Sequence, residues 1–184
     1  MKRVFSLIIV LVMVMSMMVT VSFAEPAPPE PLKLLPTDDA EIRSRYADNN
    51  YNYGRESGAD GLGKVQIYSP YDINSNRSHY YMKFDISSIA IDELDTAVLQ
   101  IYAASPGGTS ATVYIYGIEQ TNWTEDTITW NTAPVKGPAI YSSHTPTTNF
   151  TLNESTYRTI EINLTDYVKE QINGGKTAIS LEVY

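Results

Sequence analysis

Two histidines, His79 and His144, and no cysteine are all this chain offers for nucleophilic or imidazole chemistry. A serine hydrolase needs a histidine base oriented by a carboxylate, and a strained turn that presents the serine. His79 follows Ser78 where a loop enters a strand, and His144 lies in a Ser/Thr-rich loop. Neither sits in a nucleophile motif, so both read as solvated surface residues. The adjacent Glu125-Asp126 is the best candidate for the paired carboxylates of glycoside hydrolysis. Neighbours in sequence point apart, however, so no catalytic residue is assigned. Asp38, Asp39 and Glu41 cluster at the start of the folded region and could supply oxygens to a structural Ca²⁺. Such an ion takes about six to eight oxygens, and the spacing here matches no EF-hand loop.

Binding chemistry is better represented. Much of the limited positive charge falls between residues 43 and 83. Arg43 and Arg45 share one face of their strand, and Lys83 lies opposite the apolar face of its own strand with Tyr81 beside it. Lys64 and Gln66 hold the equivalent row, with Arg55 and Arg77 in flanking loops. Set side by side, Arg43, Arg45, Lys64, Gln66, Tyr81 and Lys83 would make a basic, tyrosine-edged groove. That groove suits an anionic polysaccharide, with arginine forks on carboxylates. The competing reading pairs these charges with Glu41 and Asp85 as exposed, weak ion pairs. The stretch from Tyr46 to Gly54 could meet sugar hydroxyls with its amides and rings, or could simply form tight turns.

The elements that must carry these residues are strands. Apolar residues alternate in Ile42, Val65/Ile67, Met82/Phe84/Ile86, Ala97/Leu99/Ile101/Ala103, Val113/Ile115, Ile160/Ile162/Leu164 and Ile179/Leu181/Val183. Ser44 and Tyr46 extend the first row. Pro106-Gly107-Gly108 and Lys136-Gly137-Pro138 carry turn chemistry. One short helix is expected, with Thr165 or Asp166 as N-cap, Val168 and Ile172 on one face, and Gly174-Gly175 as the stop. Short strands with one apolar face need a second sheet to bury against, which makes this an all-β sandwich.

Ahead of the strands, Met1-Lys2-Arg3, an apolar run to Val21 and Ser22-Phe23-Ala24 read as a signal peptide over residues 1–24. The alternative is an uncleaved anchor, since the run approaches the roughly 18 residues that begin to span a bilayer. Residues 25–36 form a Pro-rich linker, and 37–184 the domain. The mature chain is then secreted, extracellular or at the cell surface, with no membrane insertion after cleavage. About 160 residues are enough for one core, and with Cys 0 that core must hold without disulfides. A net charge of -8 argues against nucleic acid as a partner.

Two stretches are more specific. One is Tyr80-Tyr81-Met82-Lys83-Phe84-Asp85-Ile86-Ser87-Ser88-Ile89. The other is Trp123-Thr124-Glu125-Asp126-Thr127-Ile128-Thr129-Trp130-Asn131-Thr132-Ala133-Pro134. Together they resemble the DNRLRE (disaggregatase-related) domain, whose pattern is roughly "YLKFDLSSI" followed by "WTE..ITWNNAP". The resemblance runs from Asp39 to Tyr184. It implies a jelly-roll-like β-sandwich, a carbohydrate-binding module and an alginate-like ligand; such sandwiches often hold a structural Ca²⁺. It also implies that Trp123 and Trp130 plug the end of the sandwich, that Glu125 is a loop residue, and that Asn131 and Pro134 shape that loop. In the family the strand matching Ile179–Val183 is usually followed by further chain that supplies a last strand, so the resemblance implies either a fragment or an edge left open. The function expected is non-catalytic binding of a polysaccharide, which would ordinarily tether an appended catalytic or surface domain to it. The rival is a structural module of a surface or matrix protein without sugar specificity. Five N-glycosylation sequons, at Asn76, Asn122, Asn149, Asn153 and Asn163, read as polar strand and loop surface.

Overall fold

A computed structural model describes residues 30–51, 77–105, 110–134 and 146–184. The expected leader, the linker up to residue 29, the strand containing Val65 and Ile67, and both Pro/Gly turns lie outside the described residues. So do Arg55, Lys64, Gln66, Asn76 and His144. Lys33–Tyr184 is one compact unit, and the account below concerns it; of the unit Met1–Leu32 only residues 30–32 are described.

Among the described residues the strands are β1 (Asp38–Arg43), β2 (Ser78–Asp85), β3 (Val98–Ala103), β4 (Ala111–Ile118), β5 (Thr148–Leu152), β6 (Arg158–Asn163) and β7 (Ala178–Val183). One helix, α1, spans Thr165–Asn173. The strands form an antiparallel sheet in the order β1-β2-β7-β4-β5, and a two-stranded sheet β3-β6. This is the all-β sandwich that the alternation requires.

Register assigns each residue a face. Tyr80 lies opposite Val183, Met82 opposite Leu181 and Phe84 opposite Ile179; Ile115 lies opposite Val183 on the other side. These residues meet Leu99, Ile101, Ile160 and Ile162 of the small sheet, together with Val168 and Ile172 of α1, in the main core. The other face of the same sheet is also covered. There Ala40, Ile42, Tyr81, Tyr116 and Ile118 pack under the segment that carries Trp123, Ile128 and Ala133. The sheet is thus buried on both sides from β1 through β2 and β7 to the end of β4, while Asn149 and Thr151 of β5 stay exposed, and single-face alternation does not announce this.

The expected extension of the first strand needs correction. β1 ends at Arg43, and Ser44–Tyr46 form a 3-10 turn. Ser44 N donates to Arg77 O at 2.9 Å and its hydroxyl accepts from Arg77 N at 2.8 Å, which turns the backbone toward the start of β2. The last strand, β7, lies in the middle of the sheet, paired with β2 and β4. The described edges are β1 and β5. The β1 edge is blunted, because Asp39 N reaches the Glu125 carboxylate at 3.5 Å and Glu41 N reaches Tyr51 O at 3.2 Å.

Helix α1 stops where expected but starts differently. Gly175 takes φ +75, its N–H returns to Ile172 O, and Lys176 N bonds Gln171 O, closing a Schellman motif. At the start, Leu164 occupies the N-cap position without a side-chain cap. Thr165 N is bonded instead by Asn163 Oδ1 at 2.8 Å, while Thr165 Oγ1 accepts from Ala97 N at 2.9 Å. The helix lies close to β4: a Cβ at Gly117 would come within 2.5 Å of the Tyr167 ring. Burial, then the nearby Glu119 and Glu170, pushes the Tyr167 phenol up to about 12. Gly117→Ala is expected to lower stability by about 1–3 kcal/mol in urea denaturation through overpacking. An unchanged midpoint would show that the ring moves aside at no cost.

Candidate functional site

The tryptophan segment is built from two consecutive turns. Thr124 O accepts from the N–H groups of Thr127 and Ile128, and Thr129 O from those of Thr132 and Ala133. The threonine hydroxyls pair within each turn, Thr124 with Thr127 at 2.8 Å and Thr129 with Thr132 at 3.1 Å. This is why threonine recurs at these spacings: a hydroxyl at the start of a turn satisfies groups the turn leaves open. The turns drive Ile128 to 1% exposure and leave Trp123 at 6%. Trp123 Nε1–H donates to Ser180 Oγ at 2.6 Å, and the indole meets Tyr81 edge-on at 5.9 Å. Trp123 is therefore buried as the motif implied, over a face of the large sheet rather than at the end of the sandwich. Trp130 is half-buried and meets the His79 ring edge-on at 5.0 Å.

Beneath this cover lies a polar layer. His79, Ser180 and Glu182 are each 0% exposed. His79 Nδ1 is 2.5 Å from Glu182 Oε1. Tyr81 hydrogen-bonds the same carboxylate, and burial together with that charge pushes its phenol far up. His79 is thus not the solvated surface residue its sequence context suggested. It shares a face with Ile42 and Tyr81, and the tryptophan segment covers that face.

The six expected contact residues do not form one groove. Tyr81 is 0% exposed and belongs to the covered core. Lys83 lies on the same covered face, its Nζ 2.7 Å from Asp38 and 2.5 Å from Trp123 O, and 5.1 Å from the indole centroid. Desolvation would raise the Asp38 pKa, but the bonds from Lys83 and the Glu125 N–H outweigh it and hold the carboxyl below its ordinary range. Arg43 has the opposite parity, so it and Lys83 face opposite sides of the sheet. Arg43 grips Glu41 through Nε at 2.5 Å and Nη2 at 3.0 Å, the pairing anticipated for Glu41. Asp85 pairs with no cation among the described residues and caps Ser87 N at 2.8 Å instead.

Nor do Asp38, Asp39 and Glu41 converge. Asp38 turns to Lys83, while Asp39 accepts from the Tyr80 hydroxyl at 2.6 Å on the other face. Glu41 is held by Arg43 and the Ser78 hydroxyl. Among the described residues no group of three His, Cys, Asp or Glu side chains could hold a metal ion. Glu125, one of the tempting catalytic pair, is a latch: its N–H donates to Asp38 at 3.1 Å and its carboxylate binds Asp39 N.

What does assemble is a stack at the end of β1. Arg45 lies 5.5 Å from the Tyr46 ring centroid, the Tyr46 and Tyr51 rings are 6.4 Å apart, and Arg43 lies 4.5 Å from the Tyr51 centroid. The loop beneath is clamped to the tryptophan segment. Asn50 donates to Glu125 O and Ile128 O at 2.6 and 2.7 Å, and Asn131 donates to Asp48 at 2.6 Å. Tyr46 is 45% exposed and Arg45 is exposed, with no ion pair among the described residues. Cations alternating with rings on a fixed loop can clasp carboxylates and sugar faces together.

The sequence profile of carbohydrate-binding module family 96 matches residues 30–184. The chain belongs to this family. A gellan lyase from a Bacillus species is 27% identical over 157 residues, which covers 82% of this chain and 6% of that relative. The family 96 module thus spans a small part of a much longer relative. Its Asn/Tyr loop, whose sequence admitted both turn-forming and sugar-contacting roles, is tied to the tryptophan segment through Asn50 and Asp48 and leaves Tyr46 45% exposed. The buried pair of His79 and Glu182 carried no readable signal, because its members stand 103 residues apart.

Proposed function

We propose that this carbohydrate-binding module is non-catalytic by itself, acts outside the cell and holds an anionic polysaccharide through Arg45, Tyr46, Tyr51 and Arg43. The observation that carries this reading is Arg45: an exposed guanidinium with no carboxylate partner among the described residues, set over a half-exposed tyrosine. A polymer carboxylate takes the guanidinium fork while a pyranose face lies on the ring. The DNRLRE-like motifs and the leader-like N-terminus support an exported carbohydrate binder. The length of the Bacillus relative supports a role as an accessory that holds an appended polysaccharide-degrading domain on its substrate.

The test is titration with alginate and gellan oligomers. R45A/Y46A is expected to weaken binding about tenfold or more, the combined loss of a charge-assisted bond and a ring contact. Raising salt from about 0.05 to about 0.5 M should erase most of the difference, because exposed charges are screened. Unchanged affinity in the double variant would refute the assignment of these residues.

A further inference from the structure

We propose a second carbohydrate site on the outer face of the small sheet, built on Tyr102 and Tyr157 and selective for uncharged pyranose chains. The proposal rests on the carbohydrate-binding reading above but uses different residues and a different ligand chemistry. Leu99, Ile101 and Ala103 of β3 point into the core, so Val98, Gln100 and Tyr102 point out. Across the ladder they meet Asn163, Glu161 and Thr159, all exposed. Tyr102 is 65% exposed, and Tyr157, just before β6, is 50% exposed. Their rings are near-parallel, 26° apart with centroids 5.5 Å apart. Large exposed aromatic rings are costly to leave in water, and two that brace one another are already ordered when a ligand arrives.

The polar groups beside the rings define the ligand. Gln100 Nε2 donates to Glu161 Oε1 at 3.0 Å, which fixes both side chains next to Tyr102. The second amide hydrogen and the remaining carboxylate lone pairs can each meet a sugar hydroxyl. Thr159 lies directly across from Tyr102. The nearest arginine, Arg158, faces Glu154 at 3.7 Å, and no cation pairs with Glu161 among the described residues. A uronate approaching this face meets a carboxylate and no available counter-charge, so it is disfavoured. A neutral pyranose lays its C–H face on a ring and turns its hydroxyls to Gln100 and Glu161. The ring pair and the Gln100–Glu161 pair lie along one exposed face, so an extended chain meets more of it than a single sugar does.

Affinity electrophoresis in gels containing hydroxyethylcellulose or galactomannan, with alginate gels in parallel, tests this. The wild-type chain should be retarded in at least one neutral gel and in alginate. Y102A/Y157A should bind the neutral polymer at least tenfold more weakly, with alginate retardation and melting temperature unchanged. Y102F/Y157F should retain neutral binding, since the rings stay. R45A/Y46A should show the converse pattern. Wild-type retardation in alginate but in no neutral gel would overturn this site and leave the anionic reading standing. Neutral binding that survives Y102A/Y157A would overturn it too. Retardation in neither kind of gel would overturn both readings.

Discussion

Glu182→Ala will cost about 3–5 kcal/mol of unfolding free energy, the loss expected when a fully buried carboxylate shared by two buried side chains is removed. Glu182 lies in the central strand β7, opposite Tyr81 of β2 on one side and Tyr116 of β4 on the other. It is 0% exposed, as is His79, whose Nδ1 stands 2.5 Å from Oε1. The His79 ring is held edge-on by Tyr184 at 4.7 Å and Trp130 at 5.0 Å, so it has little room to seek another partner. Removing the carboxylate leaves the imidazole and the Tyr81 hydroxyl buried with their shared acceptor gone. Glu182→Gln keeps the volume and one acceptor oxygen and should cost less. Urea denaturation of both variants reads this directly. A Glu182→Ala loss under about 1 kcal/mol would mean that the polar layer contributes little to holding the sheet.

Trp123→Ala comes next, at about 3–5 kcal/mol. The indole is 6% exposed and caps the second core over Tyr81. Its N–H satisfies Ser180, and its ring covers the ammonium of Lys83. Truncation therefore opens a cavity, strands a buried hydroxyl and exposes the Lys83–Asp38 pair to water. Trp123→Phe refills most of the volume without the hydrogen bond and should recover all but about 1–2 kcal/mol. Because the ring is internal, Trp123→Phe should bind polysaccharide as the wild type does. A Trp123→Phe variant of normal stability that lost binding would instead place the indole against the ligand.

These two residues also show where reading the chain stopped. The burial of Trp123 was legible, since a large ring at a strand-loop junction belongs in a core. His79, Tyr81 and Lys83 were not. Tyr81 and Lys83 alternate with Met82 and Phe84, so they were correctly placed on the opposite face, while His79 read as a solvated residue where a loop enters the strand; their polarity suggested water there. The structure sets the tryptophan segment on that face, and the polar groups are kept because each found a partner: Glu182, Glu182 and Asp38. Arg43 and Arg45 were placed in one strand row, yet the chain turns after Arg43, and Arg45 lies over Tyr46 rather than beside Lys83.

By itself the sequence determined the apolar rows of β2, β3, β4, β6 and β7, the helix stop at Gly174-Gly175 and hence the sandwich, because alternation and turn chemistry are written in residues close along the chain. Only the tertiary structure decided that β5 pairs with β4, that the Thr124–Ala133 segment folds into two turns, that β1, β2 and β7 are covered on both faces, that β7 runs through the middle of its sheet and that the exposed rings are Tyr46, Tyr102 and Tyr157. Alternation separates the two faces of a strand but carries no information about what lies over either. That depends on segments distant in sequence, such as Trp123 with Ser180 and His79 with Glu182, whose meeting is fixed by packing and by the cost of leaving buried polar groups unpaired.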